Sequence, residues 1–392
     1  MKKLTVSFCV LTILCILCVS LFLPACAKDD YVPPVNTKGT LLSIGCLSDL
    51  HSKDAYFNLL TAQLKPNVKK TLKQMQGKYY DALIFGGDLT SSASPAKSHT
   101  YSIYDKILEY SDKITKNSLF VCGNHDYSAG LNKYPSSKVT TTDGYYYNYN
   151  AADFYGYIMK DRIGQLDSDD AYYEYYDNKG ESGGKGNYLL GYHYQIKGFH
   201  FIGLNPHPAD LLGILQRTNY TYTKGSVDWL ESKLQSIGKD KTVFLIAHIP
   251  LASSVNLRTN KGIEAGMSQY MQDKLIVFPN LVWLYGHDHS DGAMLDADGN
   301  TVNISCYIKD DTAQRVTQYY DKDGNKSFVT CFMGSMSYKY GNMSNDINPK
   351  IYQGLDVDVY NDKIVLQTVN YGANSNNSGT ITPFVIERNM QQ

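Results

Sequence analysis

Five short apolar runs in this chain end in residues that can bind a metal ion or transfer a proton, and this pattern constrains the fold more than any other feature. The runs alternate with stretches of helical periodicity, which is typical of β-α-β units with mainly parallel strands. The carboxyl ends of such strands lie at one edge of a sheet, so their final residues converge in space. The endings are Asp49 with His51, Asp88, Asn124 with His125 and Asp126, His248, and His287 with His289.

Each of these endings has an ordinary explanation when it is taken alone. A lone Asp after a strand commonly caps a turn or a helix, and a lone buried His is usually satisfied by hydrogen bonds. Taken together, the endings indicate a shared site, because five of the nine histidines fall in them. Imidazole and carboxylate together suit zinc, iron and manganese ions. The sequence therefore predicts a metal site at this edge of the sheet.

The residues occur in the order D-x-H, G-D, G-N-H-D, H and G-H-x-H between about Leu41 and Ser290. In this order and spacing they resemble the motifs of the calcineurin-like metallophosphoesterase superfamily. The resemblance implies an α/β fold, a four-layer α/β/β/α sandwich of two mixed sheets, with the metal site at the carboxyl ends of the strands.

The resemblance also implies a role for each of these residues. Two divalent or mixed-valence ions of Mn, Fe or Zn would be bound, and Asp88 would bridge them. Asp49, His51 and His289 would hold one metal, and Asn124, His248 and His287 the other. A metal-bridging hydroxide would attack the phosphorus of a phosphomono- or phosphodiester. His125 is similar to the family's general acid, which donates a proton to the leaving oxygen, and Asp126 would orient it.

Two departures from related branches narrow the expected substrate. Purple acid phosphatases carry a tyrosine ligand three residues after the G-D aspartate, where this chain has Ser91. Protein phosphatases continue from G-D into D-R-G, whereas this chain reads GDLTSSAS. GDLT with GNHD looks more like the cyclic-nucleotide phosphodiesterase and nucleotidase branches. The expected partner is therefore a small phosphorylated substrate, such as a nucleotide or a cyclic nucleotide.

The amino terminus has the composition of a secretory signal. Two lysines precede a long apolar run that ends in small residues. LPAC, from Leu23 to Cys26, resembles a bacterial lipobox, which implies lipidation of Cys26. We therefore expect a signal peptide over residues 1–25, a tether over 26–39 and an extracytoplasmic protein held on the membrane by its lipid. The alternative is an uncleaved transmembrane anchor, since the run is nearly long enough to span a bilayer.

Residues 40–392 are expected to form the metallophosphoesterase domain. A tyrosine-rich stretch at about 127–186 interrupts the alternation of predicted strands and helices and is interpreted as an insertion that caps the sheet edge. The run NYLLGYHYQIKGFHFIGLN predicts a hairpin around Lys197-Gly198. Strand-like segments at about 295–392 suggest a second, more antiparallel sheet. The net charge of -1 and the lack of a basic run give no indication of a nucleic-acid-binding surface.

Two other functions are compatible with parts of this pattern. A binding lipoprotein would reuse the fold without catalysis, since fold alone does not fix function. It would have no need for every metal position together with the acid. A purely structural zinc site would usually be a closed, cysteine-rich cage, and Cys46 and Cys122 are not spaced like one. The complete set of motifs thus favours a metal-dependent phosphoesterase.

Overall fold

The computed structural model describes residues 34–52, 64, 66–89, 97–123, 126, 173–177, 189–206, 222–251, 262–263, 265–287, 316–336, 352–371 and 383–387. All the helices and strands named below belong to one compact unit that spans Val35–Gln392.

The first sheet has six strands among the described residues and mixes parallel with antiparallel pairs. β1, β2 and β3 pair in parallel, and β11 pairs with β1 in the antiparallel sense. β12 and β13 continue the sheet in the antiparallel sense. The strands in spatial order are β13 (Phe384–Glu387), β12 (Lys363–Asn370), β11 (Gln353–Val359), β1 (Leu42–Leu47), β2 (Ala82–Phe85) and β3 (Ser118–Phe120).

The second sheet, as far as the structure describes it, has seven strands and is also mixed. Its centre is the parallel set β6, β7, β8 and β10, and β4, β5 and β9 add antiparallel pairs at its two sides. The strands in spatial order are β4 (Tyr173–Asp177), β5 (Leu189–Ile196), β6 (Phe199–Leu204), β7 (Val243–Ala247), β8 (Leu281–Tyr285), β10 (Lys326–Phe332) and β9 (Val316–Tyr320).

In the described part of the chain, four helices cover the two sheets: α1 (Pro66–Met75), α2 (Lys97–Ser111), α3 (Lys224–Ile237) and α4 (Ala265–Leu275). Buried side chains of α1 and α2 belong to the same apolar cluster as the first sheet. Those of α3 and α4 pack on the second sheet in a separate cluster. The larger cluster also contains side chains from both sheets, which form the layer between them. The predicted α/β sandwich of two mixed sheets is thereby confirmed.

The prediction that the C-terminal strands form a second sheet of their own is wrong. β9 and β10 extend the second sheet next to β8, whereas β11, β12 and β13 extend the first sheet next to β1. Alternating side chains predict a strand, but they do not specify which distant strand it pairs with. The hairpin is confirmed, since β5 and β6 pair across Lys197 and Gly198.

β4 lies inside the tyrosine-rich stretch, where the sequence predicted no strand. The capping role proposed for the rest of 127–186 lies outside the described residues. Among the described helices, none is long and apolar enough to cross a membrane.

Candidate metal centre

The described candidate ligands lie on four loops that follow β1, β2, β7 and β8. The first two loops continue the parallel pairing of their strands, because the Asp49 and His51 amides donate to the carbonyls of Gly87 and Asp88 at 3.0 and 2.9 Å. The other two are joined by the Gly286 amide, which donates to the His248 carbonyl at 3.0 Å. Asp49, His51, Asp88, His248 and His287 are all at most 5% exposed. The structure thus brings these five predicted residues together.

The backbone is unusual at four of these five positions. Asp49, His51, Asp88 and His287 have positive φ values of 54°, 43°, 51° and 67°. In the described part of the chain, the one other residue besides glycine with positive φ is Lys197, in the hairpin turn. Left-handed residues cost free energy and cluster at functional sites, where the surrounding structure fixes them. The strained backbone of the described chain is therefore concentrated at the predicted metal site.

The side chains form two groups that share Asp88. One consists of Asp49, His51 and Asp88, and the other of Asp88, His248 and His287. In each group, one ligand atom from every residue lies within 4.8 Å of the others. Around Asp88 Oδ2, the Nε2 atoms of His51 and His248 lie at 3.6 and 3.3 Å. His51 Nε2 also lies 3.9 Å from Asp49 Oδ1. The Asp88 carboxylate therefore stands between the two groups.

Hydrogen bonds to Gly86 set the orientation of the His248 ring. Nδ1 donates to the Gly86 carbonyl at 2.6 Å, and the Ser48 hydroxyl donates to the same oxygen at 3.1 Å. The proton on Nδ1 leaves Nε2 directed at Asp88. Metal-binding histidines commonly have such a partner for their second nitrogen.

The pKa of His248 is set by burial and by nearby carboxylates. Burial lowers this pKa, but Asp88, together with Asp49 and the Gly86 carbonyl, outweighs the effect of burial and raises the pKa to about 9. The site therefore favours positive charge.

Asp49 links the two sheets at this edge. The backbone amide of His287, after β8, donates to both carboxylate oxygens of Asp49 at 3.2 Å. The rings of His248 and His287 meet edge to face with centroids 5.2 Å apart. The site is thus assembled from the first sheet through Asp49, His51 and Asp88, and from the second through the two histidines.

The donor set fits metal ions of the predicted kind. Buried carboxylates are costly unless a cation compensates them, and here two of them lie among three imidazoles. This mixture of nitrogen and oxygen donors suits zinc, iron and manganese. The described residues therefore form a candidate metal-binding site, and Asp88 is the residue that both groups would use.

Asp126 is buried beside this site, and among the described residues its carboxylate accepts hydrogen bonds from Leu89, Tyr104 and Gly123. Oδ1 accepts the Leu89 amide at 3.0 Å and the Tyr104 hydroxyl at 3.2 Å. Oδ2 accepts the Gly123 amide at 2.8 Å. Its role in orienting His125 stays a prediction, because His125 lies outside the described residues.

The ligand roles of Asn124 and His289 and the acid role of His125 also stay predictions, since these residues lie outside the described part of the chain. Cys26 and Ser91 also lie outside the described residues.

Gly123, which precedes Asn124, is described and lies against the site. A Cβ atom on Gly123 would be 2.1 Å from Asp88 Oδ1. A glycine is required here because the two loops touch.

Two supporting residues were missed by the sequence reasoning. Asn205, just after β6, accepts the Cys122 amide at 2.9 Å through Oδ1. The Tyr222 hydroxyl donates to the Ile249 carbonyl and accepts the Ile249 amide, both at 3.2 Å. Asn205 thus holds the loop at Cys122, and Tyr222 holds the loop at Ile249, the residue after His248. Asn205 ends an apolar run, which was the available signal, whereas nothing in the sequence distinguishes Tyr222 from the other tyrosines.

Comparison with known proteins agrees with this geometry. The model of one protein family, Calcineurin-like phosphoesterase, matches residues 42–291, which is more than half of the chain. The chain belongs to the calcineurin-like phosphoesterase family. The match begins at β1 and ends just after His289, so it contains all the predicted metal ligands. No curated protein matches the chain significantly.

Two solved structures each align with most of the chain. A dimetal phosphatase from Danio rerio has a TM-score of 0.51 at 13% identity and covers 89% of this chain and 99% of its own. GAP50, the anchor in the inner membrane complex of Plasmodium, has a TM-score of 0.45 at 15% identity and covers 90% of this chain and 89% of its own. At 13% identity the likeness to the dimetal phosphatase concerns the fold alone.

Proposed function

We propose that this calcineurin-like phosphoesterase is a dinuclear enzyme that hydrolyses a phosphomono- or phosphodiester. The observation that carries the proposal is the sharing of Asp88 by two groups of buried ligands. A carboxylate has two oxygens and can bind one ion through each. Membership of the family supports hydrolysis of a phosphoric ester, and the shared carboxylate supports two metal ions rather than one.

Ions bound in such a pair lower the pKa of a water between them and offset the charge that develops on phosphoryl oxygens. The protein's own residues would hold and orient this centre. Asp88 would bridge the ions, with Asp49, His51 and His289 on one side and Asn124, His248 and His287 on the other. His125 would donate a proton to the leaving oxygen.

The substrate would be a small phosphorylated molecule, of which a nucleotide or a cyclic nucleotide is the first to test. The motifs GDLT and GNHD support this class. They are compatible with both monoesters and diesters, so the type of bond has to be measured.

The test is hydrolysis of chromogenic phosphate monoesters and diesters by the purified full chain in mild detergent. The protein is stripped of metal, refilled with Mn²⁺, Zn²⁺ or Fe²⁺, and compared with Asp88→Asn. We expect metal-dependent turnover in the wild type and a loss of about 100-fold or more in the variant, since it loses a bridging charge that binds both ions. Asp358→Asn is the matched control, because Asp358 is also a buried carboxylate but lies on β11, opposite the amino end of β1, bonded to Ser43 and Lys38.

The outcome that would contradict the proposal is a wild-type protein that binds two ions and hydrolyses none of the esters. This result would favour the alternative function, a surface-binding lipoprotein that reuses the fold. Equal activity of Asp88→Asn and wild type would show that the shared carboxylate is not part of a catalytic centre.

We also propose that the protein is exported and anchored to the membrane by a lipid on Cys26. The lysines, the apolar run and LPAC support this location. In cells, Cys26→Ser should move the chain from the membrane fraction to the soluble or secreted fraction. If the variant stays in the membrane fraction, the apolar run itself is the anchor, and lipidation at Cys26 is not required.

A further inference from the structure

Asp126 connects the loops that follow β2 and β3. Its Oδ1 accepts the amide of Leu89, the residue after Asp88, at 3.0 Å. Its Oδ2 accepts the amide of Gly123, the residue before Asn124, at 2.8 Å. The Asp126 amide in turn donates to the Gly123 carbonyl at 3.2 Å. One side chain therefore bonds directly to the neighbours of two predicted ligands.

The two loops are in close contact at this point. A Cβ atom on Gly123 would lie 2.4 Å from the Asp88 amide nitrogen as well as 2.1 Å from Oδ1. A shift of either loop by a few tenths of an ångström would therefore move Asp88. Because Asp126 is only 4% exposed, its hydrogen bonds are shielded from water, and hydrogen bonds to a charged acceptor are the strong ones.

The chemistry of the contacts requires a carboxylate. Both oxygens act as acceptors, one for Gly123 and the other for Leu89 and Tyr104. An Asn side chain has the same shape but only one acceptor oxygen, and its NH₂ group would face an N–H or O–H donor. Replacement by Asn therefore removes at least one contact and leaves a buried donor without an acceptor, while the volume stays the same.

We propose that Asp126 is a positioning residue for the metal centre, which holds the backbones of Leu89 and Gly123 together and thereby keeps Asp88 in the geometry that binds metal. The inference rests on the dinuclear site of the proposed function. It differs from the role predicted from the sequence, in which Asp126 orients His125. A residue that positions ligands determines metal affinity, whereas a residue that orients the acid determines proton transfer to the leaving group.

Replacing Tyr104 is a milder change that tests the same inference. It is fully buried on α2, and its hydroxyl donates to Asp126 Oδ1. Burial, followed by the charge of Asp126, raises the pKa of Tyr104 well above its usual value, so the hydroxyl keeps its proton. Tyr104→Phe removes this one donor and leaves both backbone contacts of Asp126 in place.

The experiment measures Mn²⁺ binding to the full chain in mild detergent by calorimetric titration. Substitutions behind metal ligands typically weaken binding by about 10 to 100-fold, and we expect that loss for Asp126→Asn. Tyr104→Phe should show a smaller loss, and Asp358→Asn none. Thermal unfolding of the metal-free proteins separates this effect from general destabilisation, which would lower the midpoint without changing Mn²⁺ affinity.

Turnover of two aryl phosphates, one with a good and one with a poor leaving group, completes the test. At saturating Mn²⁺, Asp126→Asn should lose activity by the same factor on both. Wild-type Mn²⁺ affinity in Asp126→Asn, with a loss confined to the poor leaving group, would overturn the inference and assign the residue to His125. The binding arm needs no turnover, so an inactive wild type would refute the proposed function and leave this inference intact.

Discussion

At the residue scale, the site depends on side chains that tolerate an unfavourable backbone. Asp and His enter the left-handed region more readily than most residues besides glycine. The chain places Asp49, Asp88 and His287 there, each directly after or close to a strand end. The conformation turns the chain sharply, so the side chain is directed at the neighbouring loops. The same residue types therefore satisfy both the turn and the metal.

Gly286 allows the closest approach between the two halves of the site. A Cβ atom there would lie 2.0 Å from Ser48 Oγ, 2.9 Å from His248 Nδ1 and 3.0 Å from Asp49 Oδ2. Gly286→Ala should therefore displace these groups and cost about 1 to 3 kcal/mol of folding free energy. We expect reduced Mn²⁺ content by metal analysis together with a lower unfolding midpoint. Gly77→Ala is the control, since its Cβ atom would make only an ordinary contact at 3.4 Å. Full metal occupancy in Gly286→Ala would refute this prediction.

At the element scale, the sequence predicts most of what positions the site. The buried strands β1, β2, β7 and β8 were recognisable as apolar runs bounded by turn residues, because a strand covered on both faces needs no polar alternation. Their order and short loops then place the ligands at one edge of the sandwich. Asp49 and His287 could be assigned to this edge for that reason alone.

Other elements could not be predicted in the same way. α3 was not predicted from the sequence, although Val227, Leu230 and Leu234 are buried on it at helical spacing. Asn205 supports its loop through one hydrogen bond and Tyr222 through two, and each contact depends on which backbone group faces the side chain in the folded chain. That information is non-local, as is the distribution of β9 to β13 between the two sheets.

At the scale of the whole molecule, the candidate metal centre lies where described residues of the two sheets meet. Asp49, His51 and Asp88 come from the first sheet, and His248 and His287 from the second. The Met336 amide, after β10, also donates to the Ser48 carbonyl at 3.1 Å. Ions bound here would therefore connect the two halves of the core.

This arrangement predicts that metal stabilises the whole domain. A ligand that binds only the folded state, free at 100 times its dissociation constant, stabilises that state by about 2.7 kcal/mol. Chelation should therefore lower the unfolding midpoint of the wild type, and Mn²⁺ should restore it. Asp358→Asn should respond to the chelator like the wild type, because its carboxylate lies at the other end of β1. Asp88→Asn should respond little, since neither group of ligands is complete without its shared carboxylate. If chelation leaves the wild-type midpoint unchanged while metal is removed, the two sheets hold together without the ions, and their assembly does not depend on the site.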